Sequence, residues 1–87
     1  MSYRGTLKDI HAVHAEQEAT VLRALRHGPL DGAELRDEVA ARIKRDAVTL
    51  VIERLRERGL VAELCRKGWR VTWRITDAGR AALKEAA

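Results

Sequence analysis

The feature that most constrains the fold is a change of hydrophobic period at Gly59. Before this glycine, apolar residues recur every three or four positions, which is the period of an amphipathic α-helix. In residues 69–75, Trp, Val, Trp and Ile alternate strictly with Arg, Thr and Arg. Strict alternation is typical of a β-strand with one buried face. The chain must therefore pack helices against a β-structure that follows them.

Glycine, proline and capping residues divide the helical part of the chain. A first helix is predicted for residues 7–27, because the period holds there and Gly28-Pro29 stops it. Asp31 can cap a second helix that continues to about Arg42. Glu34 stands three residues after Asp31, which is the spacing of a capping box. These features predict two helices joined by a short turn.

A third helix is predicted between Asp46, as its cap, and Arg58, just before Gly59. Its apolar residues fall on one side, which is expected to face the core: Val48, Val51, Ile52 and Leu55. This helix is therefore amphipathic, with one side left for solvent or a partner.

Two strands and a last helix complete the pattern. The strands are predicted at residues 60–65 and 69–75, joined at a tip formed by residues 66–68, and Cys65 is expected to be buried. Thr76 can cap the final helix. The order helix-helix-helix-strand-strand-helix predicts a mainly α fold with a small β-hairpin (α+β). This is the layout of a single winged helix-turn-helix domain over residues 1–87, in which residues 1–15 form an N-terminal arm or a dimerisation extension.

Positive charge is concentrated in the middle of the chain. Residues 42–74 carry ten basic and four acidic side chains, whereas residues 1–41 carry five basic and seven acidic ones. The asymmetry indicates an anionic partner for the middle of the chain, although a run of charge taken alone is usually a solvated surface.

Three stretches resemble known families of regulators. The segment GPLDGAEL, residues 28–35, resembles the segment that opens the second helix in PadR-type regulators. The segments VIERLRERGLV, residues 51–61, and RITDAGRAAL, residues 74–83, resemble signatures shared by the PadR and MarR families. The resemblance covers about residues 16–84. It implies a winged-helix transcriptional regulator, usually a homodimer, with its third helix in the major groove of DNA and its hairpin on the backbone or minor groove.

Double-stranded DNA is therefore the expected partner, and we expect a sequence-specific regulator that acts as a repressor. The N-terminal turn of the third helix would penetrate the major groove deepest, which places Arg45, Thr49 and Leu50 near the bases. Cations before this helix and in the wing, residues 66–70, are expected on the backbone or minor groove: Arg42, Lys44, Arg66, Lys67 and Arg70.

The first helix carries the candidate contact between two copies of the chain. Its apolar and weakly polar stripe extends beyond what a minimal domain needs, and the expected contact residues are Leu7, Ile10, His14 and Gln17. Two copies would read half-sites about one helical turn apart.

A second hypothesis is a winged helix that recognises a protein, as an inhibitor or as a subunit of a larger complex. Position 50, commonly polar or basic in such recognition helices, is Leu50. Glu53 and Glu57 lie on the same outward side, where phosphates would repel them. Trp69 either braces the wing or anchors such a partner, because Trp is common at the energetic centre of interfaces.

The sequence lacks the motifs of an enzyme or a cofactor site. It has no glycine-rich phosphate loop, no Gly-x-Ser-x-Gly and no Cys/His cluster, so we expect no catalysis, no cofactor and no metal. His11, His14 and Glu18 have helical spacing, but no second cluster completes a metal site. No apolar run approaches the length of a membrane span and no secretory signal is evident, so the chain is expected to be cytoplasmic, without a membrane partner.

Overall fold

The elements of the protein follow the predicted order, with one additional strand. A computed structural model describes residues 7–86 of the 87-residue chain, and side chains within residues 13–85. In chain order the elements are α1 (Leu7–Arg26), β1 (Leu30–Asp31), α2 (Gly32–Glu38), α3 (Arg45–Glu57), β2 (Val61–Lys67), β3 (Arg70–Ile75) and α4 (Asp77–Ala86). The predicted class, mainly α with a small β-hairpin, is confirmed.

The additional strand β1 completes a three-stranded antiparallel sheet in the order β1-β3-β2. Leu30 lies opposite Trp73, and Asp31 lies opposite Thr72. The sequence pattern does not predict β1, because two residues are too few to show a period and their partners are distant in the chain. The strand matters for the site below because it brings the start of α2 beside the hairpin.

The start of α2 has the predicted capping box. The backbone N–H of Glu34 donates to Asp31 Oδ1 at 2.8 Å, and the backbone N–H of Asp31 donates to Glu34 Oε1 at 2.9 Å. The predicted end of α2 at Arg42 is wrong, because the helix ends at Glu38. In the turn that follows, the backbone N–H groups of Arg42 and Ile43 donate to the Val39 carbonyl, each at 2.9 Å, and the side chains of Val39 and Ile43 are buried.

Replacing the capping carboxylate should destabilise the protein. We expect Asp31→Ala to lower the free energy of unfolding by about 1 kcal/mol, because the first turn of α2 loses its side-chain acceptor. Asp37→Ala is the matched control, since Asp37 is an exposed acid near the other end of the same helix. Urea unfolding of the two variants checks this, and equal stability of both would contradict the capping role.

The hydrophobic core lies where α1, α2 and α3 meet the sheet and α4. The predicted apolar side of α3 is buried, and Trp73, which is partly buried, packs against the same core. The buried apolar residues are Val21, Leu22, Leu25, Leu35, Val39, Ile43, Val48, Val51, Ile52, Leu55, Leu60, Val61, Ile75 and Leu83. The core therefore fixes the angle at which α3 presents its other side.

The helix α1 contributes to this core only through its second half, among the side chains that are described. Its buried residues begin at Thr20, whose hydroxyl donates to the Glu16 carbonyl at 2.8 Å. Glu18 joins α1 to α3, because it forms ion pairs with Arg54, at 3.2 Å, and with Arg58. No helix within residues 7–86 combines the length and the apolar character needed to cross a membrane.

The helix α4 begins at the predicted cap. The backbone N–H of Gly79 donates to Thr76 Oγ1 at 3.0 Å, and this hydroxyl donates to the Gly59 carbonyl at 2.7 Å. The backbone N–H of Thr76 also donates to the Leu60 carbonyl at 3.0 Å. These bonds tie the start of α4 to the turn that follows α3.

Candidate nucleic-acid interface

The side of α3 opposite the core is exposed in the part of the chain that the structure describes. Thr49, Glu53 and Arg56 are exposed there, and Leu50 is 58% exposed although it is a large apolar residue. The sequence predicted this division of α3 into a buried and an outward side. The outward side is mixed in charge, so its polarity alone does not identify a partner.

Three cations surround the N-terminus of α3. Arg42, Lys44 and Arg45 are exposed, whereas Ile43 between them is buried and anchors the turn. The predicted cap at Asp46 is wrong: Lys44 occupies the N-cap position, and no side chain caps this helix. Because the turn closes on the buried isoleucine, α3 begins earlier than the sequence predicts.

This helix start is electrostatically suited to an anion. The first N–H groups of a helix carry partial positive charge, and cations next to them repel it. In α3 this repulsion is offset within the helix only by Asp46, in the first turn. An anion placed against Lys44 and Arg45 would instead be attracted by both the cations and the helix terminus.

The hairpin of β2 and β3 closes through a two-residue turn, Gly68 and Trp69. Lys67 lies directly opposite Arg70, and Gly68 has a φ of +60°, a conformation that favours glycine. The predicted tip at residues 66–68 is therefore shifted by one to two residues. Arg66 and Lys67 belong to β2, and Trp69 belongs to the turn and not to a strand.

The outer half of the hairpin projects away from the core. Every residue from Glu63 to Arg70 is exposed, and the pairing is irregular between Glu63 and Cys65. The expectation that Cys65 is buried is wrong: the thiol is exposed, because none of the described helices covers this part of β2. A strand pattern indicates which side chains share a face, but it does not indicate how far the hairpin extends beyond the helices.

An ion pair holds Arg66 against its own strand. Arg66 Nε donates to Glu63 Oε1 at 3.0 Å, and Arg66 Nη2 donates to Glu63 Oε2 at 2.9 Å. The side-chain hydrogen bond from Arg66 is the main cause that lowers the pKa of Glu63, and the same bond raises the pKa of Arg66. A lowered carboxyl pKa means that this pair is formed at neutral pH and is lost only as the pH falls through that pKa.

A groove of about 340 Å³ separates the outward side of α3 from the hairpin. Its lining includes Thr49 and Glu53 of α3, Glu63 of β2, Asp31 at the start of α2 and, at the tip, Trp69. Four arginines also line it, each from a different element: Arg36, Arg56, Arg66 and Arg70. Two of the three acidic residues already have partners, because Asp31 caps α2 and Glu63 pairs with an arginine.

All eight residues predicted to contact DNA are exposed, but they do not form one cluster. Thr49, Arg66 and Arg70 line the groove. The others lie outside its lining: Arg42, Lys44, Arg45, Leu50 and Lys67.

Sequence reasoning missed two arginines of the groove, Arg36 and Arg56. Arg56 follows Thr49 and Glu53 at helical spacing, so that spacing could have indicated it. Nothing in the sequence indicates that α2 brings Arg36 beside the hairpin.

The predicted dimer residues lie on α1. The side chains of Leu7 and Ile10 are outside the described residues, and His14 is partly exposed. Gln17 accepts a hydrogen bond from Arg54 Nη2 at 3.4 Å within the same chain.

Among the side chains that are described, no three His, Cys, Asp or Glu residues lie close enough together to hold a metal ion.

Comparison with solved structures identifies the arrangement of these elements. A candidate transcriptional regulator from Thermoplasma acidophilum superposes with a TM-score of 0.73 at 24% identity, over 88% of this chain and 80% of the other. BpsR from Bordetella bronchiseptica, whose DNA binding is regulated by 6-hydroxynicotinic acid, gives 0.71 at 26% identity, over 91% and 70% of the two chains. The reduced form of MarR from E. coli gives 0.67 at 18%, over 99% and 76%.

The chain has the winged-helix fold of MarR-type regulators. No family model matches the sequence, and no curated protein matches it. The resemblance to MarR regulators and the predicted fold are thus confirmed by structure. In this winged helix, the hairpin of β2 and β3 is the wing, and α2 and α3 form the helix-turn-helix. The solved neighbours are described as regulators, which agrees with the prediction that the chain is not an enzyme.

Proposed function

We propose that this winged helix is a transcriptional regulator that binds double-stranded DNA, with α3 in the major groove and the wing on the backbone or minor groove. One observation carries the proposal: the outward side of α3 and the wing form the two walls of one groove lined by four arginines. A duplex seated on α3 would meet both walls at once. DNA binding by a structural neighbour, BpsR, supports the same function.

The charge distribution around α3 supports this docking. Phosphate contacts provide most of the affinity of DNA-binding proteins and come mainly from arginine and lysine. Arg42, Lys44 and Arg45 stand at the N-terminus of α3, and Lys67 extends the cationic wing. A duplex would thus be held at both ends of the interface, while Thr49 and Leu50 reach base edges between them.

Salt dependence is the test of this function. Purified protein is titrated into a fluorescent mixed-sequence duplex at several salt concentrations. We expect binding that weakens steeply with salt, because each neutralised phosphate releases a counterion. Absence of binding at low salt would refute the proposal. If the protein binds, the next experiment is selection of its preferred site from a pool of random duplexes.

Removing the carboxylate of the wing should strengthen duplex binding. We expect Glu63→Gln to tighten binding several-fold, since Arg66 is released from its ion pair and a negative charge leaves the groove. The slope of the logarithm of the binding constant against the logarithm of the salt concentration should steepen by the amount expected for about one additional phosphate contact. Glu57→Gln, on the exposed far end of α3, removes the same charge outside the groove lining and is the control. Equal tightening by both variants would contradict a specific role of the pair.

We further propose that the regulator is a homodimer and a repressor. The dimer contact would use the N-terminal half of α1, where Val13 is 53% exposed and His14 partly exposed. Ile10→Glu is expected to shift the protein towards monomer in sedimentation equilibrium. Unchanged sedimentation would exclude this part of α1 as the contact.

One observation favours a second function, the recognition of a protein. Leu50 and Trp69 are large apolar residues on the outward side of the molecule, 58% and 87% exposed. Such residues can anchor a protein partner. The test is the tryptophan fluorescence of this protein. A change on addition of a protein partner isolated by pull-down, with no change on addition of DNA, would favour this function over the first.

A further inference from the structure

Among the side chains that the structure describes, the most exposed large apolar one stands at the tip of the wing. Trp69 is 87% exposed, whereas the other tryptophan, Trp73, is partly buried against the core. Trp69 is the second residue of the two-residue turn, after Gly68 with its positive φ. The tight turn therefore holds the indole at the extreme end of the hairpin. Burial of an indole removes a large apolar surface from water and is favourable in free energy. A partner that covers Trp69 would therefore bind more tightly.

The surroundings of Trp69 define the chemistry of that partner. Lys67 and Arg70 are paired across the turn directly below it, and Arg66 lies one position further along β2. An occupant must present negative charge around a flat apolar surface. Nucleic acid has this combination, because phosphates flank the faces of its bases. The position of Trp69 on the groove that it shares with Thr49 of α3 favours duplex DNA.

The dimensions of the wing allow its tip to reach a groove of the duplex. The strand β2 has seven residues, which corresponds to a length of about 23 Å. Its outer half is exposed on all sides, so nothing in the described structure prevents the tip from entering a groove about 6 Å wide, such as the minor groove. The flanking cations would then lie against the phosphates at the two edges of that groove.

From these observations we infer that Trp69 acts as a wedge that inserts from the minor groove into a base-pair step and bends the duplex. The inference rests on the proposed function and adds a specificity-determining residue to it. Apolar wedges of this kind partly unstack a step and kink DNA away from the minor groove. Pyrimidine–purine steps such as TpA unstack most easily, whereas A-tracts are stiff. The wing thus reads the deformability of a step and does not require hydrogen bonds to its bases.

The test uses three variants of the full chain. Trp69→Ala removes the wedge without changing charge. Leu64→Ala is the matched control, because Leu64 is 54% exposed on the same hairpin but away from the turn. Trp73→Phe leaves Trp69 as the single tryptophan, so that its emission can be measured alone. Two duplexes are used, one with a central TpA step and one with a central A-tract, and they are otherwise identical. For each we measure the affinity of the protein, the salt dependence of that affinity, and the fluorescence energy transfer between dyes at the two ends of the duplex, which reports the bend.

The expected results separate a wedge from a phosphate contact. Trp69→Ala should weaken binding to the TpA duplex about tenfold, which equals about 1.4 kcal/mol. Its salt slope should stay that of the wild type, because no phosphate contact is lost. The DNA bend and the preference for the TpA duplex should disappear in this variant and persist in Leu64→Ala. Emission of Trp69 in Trp73→Phe should be quenched on addition of the duplex.

Other outcomes overturn the wedge in distinguishable ways. If the wild type binds with a steep salt dependence and Trp69→Ala binds with the same affinity and bends the duplex equally, the wedge is refuted and the proposed function stays intact. An emission shift of Trp69 with phosphatidylserine vesicles, but not with duplex, would assign the tip to an anionic membrane surface. Absence of wild-type binding to either duplex at low salt would refute both the wedge and the proposed function.

Discussion

The double substitution Arg66→Glu with Lys67→Glu is expected to weaken duplex binding by about a hundredfold or more. Two cations of the wing become anions, so the attraction of the wing to phosphates is replaced by repulsion. Both side chains are exposed, and Arg66 contacts Glu63 of its own strand. The free energy of unfolding should therefore change little, because exposed ion pairs contribute little to stability.

The control for this prediction is a charge reversal elsewhere on the molecule. Arg80 and Lys84 lie on α4, beside Arg26 of α1, outside the lining of the groove between α3 and the wing. Arg80→Glu with Lys84→Glu gives the same net charge as the wing variant. Titration of both variants into the same duplex separates a local contact from a general loss of positive charge. Equal weakening by both, or full binding by the wing variant, would refute the assignment of the wing.

Gly79→Ala is expected to cause the largest loss of stability among alanine substitutions at the glycines that the structure describes. A Cβ at Gly79 would stand 2.2 Å from the Leu60 carbonyl oxygen and 2.8 Å from Ile75 Cγ1. That carbonyl already accepts from the backbone N–H of Thr76, so it cannot move without breaking this bond. Overpacking against fixed backbone costs about 3 kcal/mol. In a domain of this size, such a loss lowers Tm by roughly 15 °C.

The matched control is the same substitution at Gly32. There the added Cβ would meet, among other atoms, Arg36 Nη1 at 3.1 Å, which is the far end of a flexible, partly exposed side chain. Gly32 opens α2, and alanine favours a helix over glycine. Gly32→Ala should therefore be neutral or slightly stabilising in thermal unfolding. A similar Tm for the two variants would show that α4 can move away from Leu60, and would refute the close packing.

The two tryptophans show where sequence reasoning succeeds and where it stops. Strict alternation predicted that Trp73 and Ile75 share the buried face, and the structure confirms this. The same alternation placed Trp69 in the strand. Its position in the turn follows from the pairing of Lys67 with Arg70, which the sequence pattern does not determine. The exposure of Cys65 was missed for a related reason, because it depends on where the helices end beside the hairpin.

Some residues of the candidate site could be predicted from the sequence and others could not. The cations of the wing could be predicted because they are clustered in the sequence and flank a glycine turn. Arg36 could not be predicted, because α2 lies beside the wing only through the pairing of β1 with β3. The ion pair of Glu63 and Arg66 depends on their side-chain positions near an irregularity in the pairing.

The sequence by itself determined the order of the helices and strands, the capping box at Asp31, the buried side of α3 and the cationic middle of the chain. These are properties of residues close together in the chain, where period, capping and charge act directly. Only the tertiary structure decided the groove between α3 and the wing and the position of Trp69 at its tip. Both depend on contacts between residues far apart in the chain, and local patterns carry no information about which distant backbone groups will pair.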